Sequence, residues 1–206
     1  MINYRSNITP TWCPGCNNYL VFAAIQKNFS DLNLNIDNLV MNYDIGCAGN
    51  FADFFKTYGF HTLHGRSIAT AMGEKIANPN LFVCVIAGDG GIYGEGLNHL
   101  VSAARMNIDI KVFVSNNFMY SLTTGQTSPT TPKGAKTKST PTGNVNLPID
   151  PVKLLKSINP NVFVETVDNR DIAKLNDTIK RALEFPGFAL VDMAQECVAF
   201  GKQLKS

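Results

Sequence analysis

VIAGDGGIYGEGLNHLVSAARMNIDIKVFVSNNFMY (Val85–Tyr120) holds two apolar runs with a helical pattern between them. The first run ends in glycines around Asp89, and the second ends in Asn116 and Asn117. Strand, crossover helix and strand in this order make a parallel pair, and the ends of such strands form the edge where ligands bind. Asp89 and the Asn116–Asn117 pair therefore converge on one point, although 25 residues separate Gly90 from Asn116. A carboxylate with a carboxamide is a hard-oxygen set that suits Mg²⁺, a cation that keeps positions open for phosphate oxygens. Gly88, Gly90 and Gly91 let the backbone come close to an anion and turn N–H groups toward it. Gly-Asp-Gly alone is also an ordinary turn. The strand–GDG–helix–strand–NN arrangement is the more specific signal.

The alternation extends outward from this stretch. Tyr19–Phe29 has helical apolar spacing, and Asn38–Gly46 reads as a buried strand. Gly65–Ala77 reads as a small-residue helix closed by Asn78-Pro79. Toward the end, NVFVETV, DIAKLNDTIKRALE and FALVDMA give strand, helix and strand. Continuous apolar strands alternating with helices predict an α/β fold, a parallel sheet with helices on both faces. The 206 residues suffice for a single domain. The exception is Ser121–Pro148, poor in apolar residues and rich in Thr, Pro, Gly, Ser and Lys. A segment of this kind reads as a lid over a site or as a surface linker. Its composition predicts that it does not order by itself.

Two of the five cysteines share the turn Cys13-Pro14-Gly15-Cys16, next to the only tryptophan, Trp12. A CxxC pair serves a redox disulfide, half a zinc site or part of an iron–sulfur ligand set. Residue spacing leaves these three open. Cys84 lies inside an apolar strand and reads as a small core residue. His99 falls on the crossover helix and reads as structural, while His61 has no assigned role.

Composition narrows the class. Charged residues are 17% of the chain and the net charge is +2, with no basic stripe of the kind nucleic acid requires. No run is long enough to cross a membrane, and the first residues lack the apolar centre of a secretory signal. A cytoplasmic location is expected, where thiols stay reduced. The low charge density also suggests surface covered by partner subunits.

The GDG…NN arrangement resembles the Mg²⁺ and diphosphate motif of thiamine-diphosphate enzymes. With WCPGC, IGCAG, FHTLHGR, NHL and YSLTTGQTSPTT in order from Trp12 to Pro132, the chain resembles the β subunit of 2-oxoacid:ferredoxin oxidoreductases. The match continues more loosely to Phe200. The resemblance implies a thiamine-diphosphate-binding fold of the diphosphate-binding type. It implies Mg²⁺ on Asp89, Asn117 and the Met119 carbonyl, and a cofactor lined by Gly46, Cys47, His64, Gly88, Gly90, Gly91, Tyr120, Leu122 and Thr123. It implies a [4Fe–4S] cluster on Cys13, Cys16, Cys47 and Cys197. The implied reaction is coenzyme A-dependent oxidative decarboxylation of a 2-oxoacid, with ferredoxin as electron acceptor. No catalytic residue is expected on this chain. The glutamate that activates the cofactor lies, in the family, on a partner α subunit, with a γ subunit as a further partner. Many family β subunits continue for tens of residues past the position of Ser206; the core site is expected to survive without that tail, whereas the contacts to substrate and coenzyme A that the tail makes are not carried over to this chain. Ser121 stands where the family pattern has glycine and is expected to stiffen the entrance to the lid. Two alternatives remain: a thiamine-dependent decarboxylase or synthase subunit without redox function, and a zinc-stabilised subunit without catalysis.

Overall fold

The apolar runs become the strands of one sheet. In chain order the elements are α1 (Asn18–Asp31), β1 (Leu39–Tyr43), β2 (Tyr58–His61), α2 (Ser67–Ala77), β3 (Phe82–Gly88), α3 (Leu97–Met106) and β4 (Ile110–Asn116). The short β5 (Met119–Tyr120) and β6 (Gln126–Thr127), α4 (Pro151–Ile158), β7 (Phe163–Asp168), α5 (Ile172–Glu184) and β8 (Ala189–Ala194) follow. The computed structural model describes residues 2–205. The main sheet has six strands in the order β2–β1–β3–β4–β8–β7, and every neighbouring pair is parallel.

The period of two sorts each strand's side chains onto opposite faces. From β3, Cys84 and Ile86 join the cluster under α1 and α5, which also takes Phe29, Met41, Phe113 and Ile179. Val83, Val85 and Ala87 join the cluster under α2, α3 and α4, with Ile68, Leu100, Val112 and Leu155. Helices thus cover both faces, the α/β architecture that the alternation predicts. Asp150 starts α4 and Asp171 starts α5, accepting bonds from the Lys153 and Lys174 N–H groups at 3.0 and 3.1 Å.

Several short elements escape the sequence reading, β5 and β6 among them. β2 is four exposed residues on the sheet edge, too short to show a period. α4 has only eight residues. A single π-helical turn, Gly91–Glu95, stands between GDG and α3; such turns cluster at functional sites.

Strand order reverses between β1 and β3, because the chain leaves β1 for β2 and returns to the other side for β3. In open α/β sheets the crevice at such a reversal, beyond the carboxyl ends of the strands, is where ligands bind. IGCAG follows β1 and GDGG begins at the end of β3, so both glycine-bearing turns flank that crevice.

Candidate functional site: a glycine-walled cavity beside four thiols

Asp89 is the first residue past β3 and is 1% exposed. The Ser128 and Thr130 hydroxyls both donate to its Oδ2, at 2.6 and 2.7 Å, which leaves Oδ1 without a side-chain donor. Burial pushes the Asp89 carboxyl up to about 6, and the two hydroxyls offset part of that rise. Across the crevice, the Asn117 Nδ2 donates to Ser121 Oγ at 2.8 Å, and its Oδ1 accepts the Met119 N–H at 3.2 Å.

Gly46, Cys47, His64, Gly88, Asp89, Gly90, Gly91, Asn117, Met119, Tyr120, Leu122 and Thr123 line one cavity of about 90 Å³. They are all the residues that the family resemblance assigns to the cofactor. Asn18, Ser115, Ser121 and Gln195 line it as well. Two glycines show why side chains are excluded there. Gly46 has φ +108°, and a Cβ on Gly90 would come within 2.2 Å of Tyr120 Cε1.

The donor chemistry of the cavity fits a polar, anionic ligand. Ser115 Oγ and His64 Nδ1 are buried on its wall and make no hydrogen bond; natural structures rarely leave such atoms unpaired. His64 Nδ1 stands 3.1 Å from Glu95 Oε2, close enough for an ion pair but not aligned for a hydrogen bond. Tyr120 closes one side, its hydroxyl bonded to Glu95 at 3.3 Å; burial, with Glu95 beside it, pushes the phenol up to about 12.

The segment 121–148 reaches this carboxylate through Ser128 and Thr130. Polar bonds take the place of apolar packing. Thr131 Oγ1 donates to the Phe118 carbonyl at 2.6 Å, Asn144 Nδ2 to the Thr131 carbonyl at 2.9 Å, and the Thr127 hydroxyl meets those of Thr137 and Thr140 at 2.7 Å. Ser128, Thr130, Thr131, Thr137 and Asn144 are buried in consequence.

A second cavity, of about 130 Å³, is lined by Cys13, Cys16, Cys47 and Cys197 together. It shares Asn18, Cys47, Asn117, Ser121, Leu122 and Gln195 with the first, so the two are neighbours through one wall. Among the described residues no three His, Cys, Asp or Glu side chains converge closely enough to hold a single metal ion. Burial pushes the Cys16 and Cys47 thiols up, and the other thiols of the set add to the rise. The Ser121 hydroxyl, 3.7 Å from the Cys47 Sγ, works in the opposite direction. Trp12 explains its place beside the CxxC turn. Its ring packs on Phe51, Phe54 and Tyr19 with centroids 4.4, 4.8 and 5.2 Å away, and its Nε1–H donates to the Cys47 carbonyl at 2.7 Å. That bond ties the WCPGC turn to the IGCAG turn. Cys84 is wholly buried in β3, and burial raises its thiol far above the usual range.

Comparison with known proteins agrees with this geometry. Residues 44–193 match the family described as thiamine pyrophosphate enzyme, C-terminal TPP binding domain. A 2-oxoglutarate synthase subunit KorB from Archaeoglobus fulgidus is 37% identical, over 94% of this chain and 72% of that protein. The chain belongs to the β-subunit family of the 2-oxoacid:ferredoxin oxidoreductases. The 2-oxoacid:ferredoxin oxidoreductase 1 subunit beta of Aeropyrum pernix is 39% identical over 96% of this chain and 62% of that subunit. The chain therefore spans less than two thirds of that β subunit. A solved structure, a 2-oxoglutarate:ferredoxin oxidoreductase from Magnetococcus marinus with 2-oxoglutarate, coenzyme A and succinyl-CoA bound, superposes with a TM-score of 0.92 at 31% identity. That match covers 96% of this chain and 67% of the other.

Several residues around these cavities were not reached from the sequence. Asp44 is fully buried and accepts bonds from the Gly65 N–H at 3.1 Å and from Ser67 Oγ at 2.8 Å, which fixes the HGRS turn that carries His64. Asp192 is 2% exposed in the middle of β8. A signal for both was present: Asp192 is a lone carboxylate inside an apolar strand, and Asp44 directly follows a buried one. Ser128 and Thr130 sit in the TSPTT segment, where a density of hydroxyls was the only mark.

Proposed function

We propose that this chain is the thiamine-diphosphate-binding β subunit of a 2-oxoacid:ferredoxin oxidoreductase, working in a hetero-oligomer. One observation carries the reading. The cavity that collects the GDG residues and Asn117 shares a wall, through Cys47, with the cavity that collects four thiols.

Asp89 Oδ1, Asn117 Oδ1 and the Met119 carbonyl would hold Mg²⁺, all hard oxygens of the kind that ion prefers. Gly88, Gly90 and Gly91 would take the diphosphate against the backbone, and His64, whose Nδ1 makes no hydrogen bond, would face the same anion. Tyr120, Leu122 and Thr123 would close the cavity against water. Cys13, Cys16, Cys47 and Cys197 would hold a [4Fe–4S] cluster. A cubane puts each thiolate on a different iron, so its ligands must line a cavity and need not meet at one point. When bound, thiamine diphosphate supplies the nucleophile that opens a 2-oxoacid, and the cluster supplies one-electron transport toward ferredoxin.

The activating glutamate is assigned to a partner α subunit, and a γ subunit is a further candidate. Coenzyme A as acyl acceptor and a 2-oxoacid as substrate are supported by the relative that binds 2-oxoglutarate, coenzyme A and succinyl-CoA. A cytoplasmic location suits four reduced thiols, and among the described residues no helix is long and apolar enough to cross a membrane.

Metal analysis of the complex purified without oxygen, with a titration of thiamine diphosphate in Mg²⁺, tests the reading. Iron with cofactor binding supports it. Cofactor binding without iron favours a decarboxylase or synthase subunit, and zinc without cofactor binding favours a structural subunit.

A further inference from the structure

Asp192 is a carboxylate in β8 between Val191 and Met193, two wholly buried apolar residues. It lines neither cavity. Burying such a group is costly unless its oxygens are satisfied, and here they are. Tyr93 Oη donates to Oδ1 at 2.8 Å, Asn116 Nδ2 stands 3.1 and 3.2 Å from the two oxygens, and Thr166 Oγ1 donates to Oδ2 at 3.4 Å. These donors come from the π-helical turn after GDG, the end of β4 and strand β7.

An ionised carboxylate only accepts hydrogen bonds. It therefore fixes which end of the Asn116 amide faces it. With Nδ2 held on Asp192, Asn116 Oδ1 points the other way and accepts the Phe118 N–H at 3.1 Å. Phe118 has φ +63°, a conformation an aromatic residue adopts only under constraint. That constrained turn lies between Asn117 and Met119, both of which line the cavity. The same Oδ1 lies 3.0 Å from the Thr130 hydroxyl, whose hydrogen it shares with Asp89 Oδ2 at 2.7 Å. A chain of contacts thus runs from Asp192 through Asn116 to both sides of the candidate metal site.

We infer that Asp192 is a positioning residue for the Mg²⁺–diphosphate site, acting through Asn116 to hold the Asn117–Met119 turn and the Thr130 hydroxyl in place. The inference rests on the proposed role of Asp89 and Asn117. Its content is that Asp192, which touches no ligand, sets the affinity for the cofactor. Partners of that kind typically govern about 10- to 100-fold in metal affinity.

The test is calorimetric titration of thiamine diphosphate in Mg²⁺, on the complex of the chain with its partner subunit, with thermal unfolding as a check on folding. Asp192→Leu, similar in size but without an acceptor, is expected to weaken binding about 10- to 100-fold. Asp192→Asn keeps a carbonyl for the Asn116 Nδ2 and is expected to bind within roughly threefold of the wild type. Thr166→Val removes another contact to Asp192 without touching Asn116 and is expected to bind within about twofold. Asn116→Leu should lose as much as Asp192→Leu, and the double variant no more than either single one, the non-additivity of residues that act as a unit. Should Asp192→Leu not fold, Asp192→Ser, too short to reach Asn116, replaces it with the same expectation. Wild-type affinity in Asp192→Leu or Asp192→Ser, or additive losses in the double variant, would overturn the inference. A wild-type complex that binds no cofactor would instead overturn the proposed function beneath it.

Discussion

Replacing Asp89 with asparagine should stabilise the chain in the absence of cofactor while removing its capacity to bind one. The carboxyl rises from its ordinary 3.8 to about 6 because the folded protein buries it. The sign follows from proton counting. Below about 3.8 the group is protonated in both states and carries no penalty. Between about 4 and 6 the unfolded chain releases the proton while the folded one retains it, so stability falls as pH rises through that window. Above about 6 the penalty is complete and constant. At about 1.4 kcal/mol per pH unit between the two values, it amounts to about 3 kcal/mol. Asparagine has nearly the same shape and still accepts the Ser128 and Thr130 hydroxyls through its carbonyl, but carries no charge. Asp89→Asn should therefore exceed wild type by about 3 kcal/mol at pH 8 and by only about 1 kcal/mol at pH 4.5. For a chain of this size the larger difference moves Tm by roughly 6–12 °C. Urea unfolding of both proteins at the two pH values, without Mg²⁺ or thiamine diphosphate, measures it. Equal stability at pH 8, or the same gain at both pH values, would refute the account of Asp89 as a carboxylate held at a cost for a cation. Stability given up at a site that must bind charge is the expected form of such a trade.

Cys197→Ala should lower the iron content of the complex while leaving thiamine diphosphate affinity near wild type, and Cys84→Ala should leave iron unchanged; iron analysis with a cofactor titration checks both. Gly90→Ala forces a Cβ to within 2.2 Å of the Tyr120 ring, so Tyr120 must move and cofactor affinity should fall at least about tenfold, read by the same titration. Trp12→Phe keeps the aromatic packing but deletes the bond to the Cys47 carbonyl. It should cost about 1–3 kcal/mol in urea unfolding, because that acceptor loses its partner.

The alternation of apolar runs with helical spacing, read locally, was enough to give the parallel sheet and the two faces of helices. The same local reading placed Asp89 and Asn117 at neighbouring strand ends, because a parallel strand–helix–strand unit leaves no other place for them. The WCPGC turn was also legible as a close pair of thiols. What it was for was not, since CxxC chemistry depends on which distant groups come near. Only the tertiary structure brings Cys47 and Cys197 to the same cavity wall as Cys13 and Cys16, from positions 34 and 184 residues after Cys13. It also gave the polar segment 121–148 its partners. A composition-based reading weighs apolar burial alone, whereas hydroxyls such as those of Ser128 and Thr130 gain their order from a buried carboxylate 39 and 41 residues away. Asp192 marks the same limit. Its position was visible as a charge in an apolar strand, but its hold on Asn116 exists only because β8 pairs with β4, which sets Asn116 beside Ala194 in register and brings the carboxylate beneath it. Periodicity is a property of neighbours in sequence and survives in the linear chain. Hydrogen-bond partnership across a sheet is a property of neighbours in space, and the fold has to form before it exists.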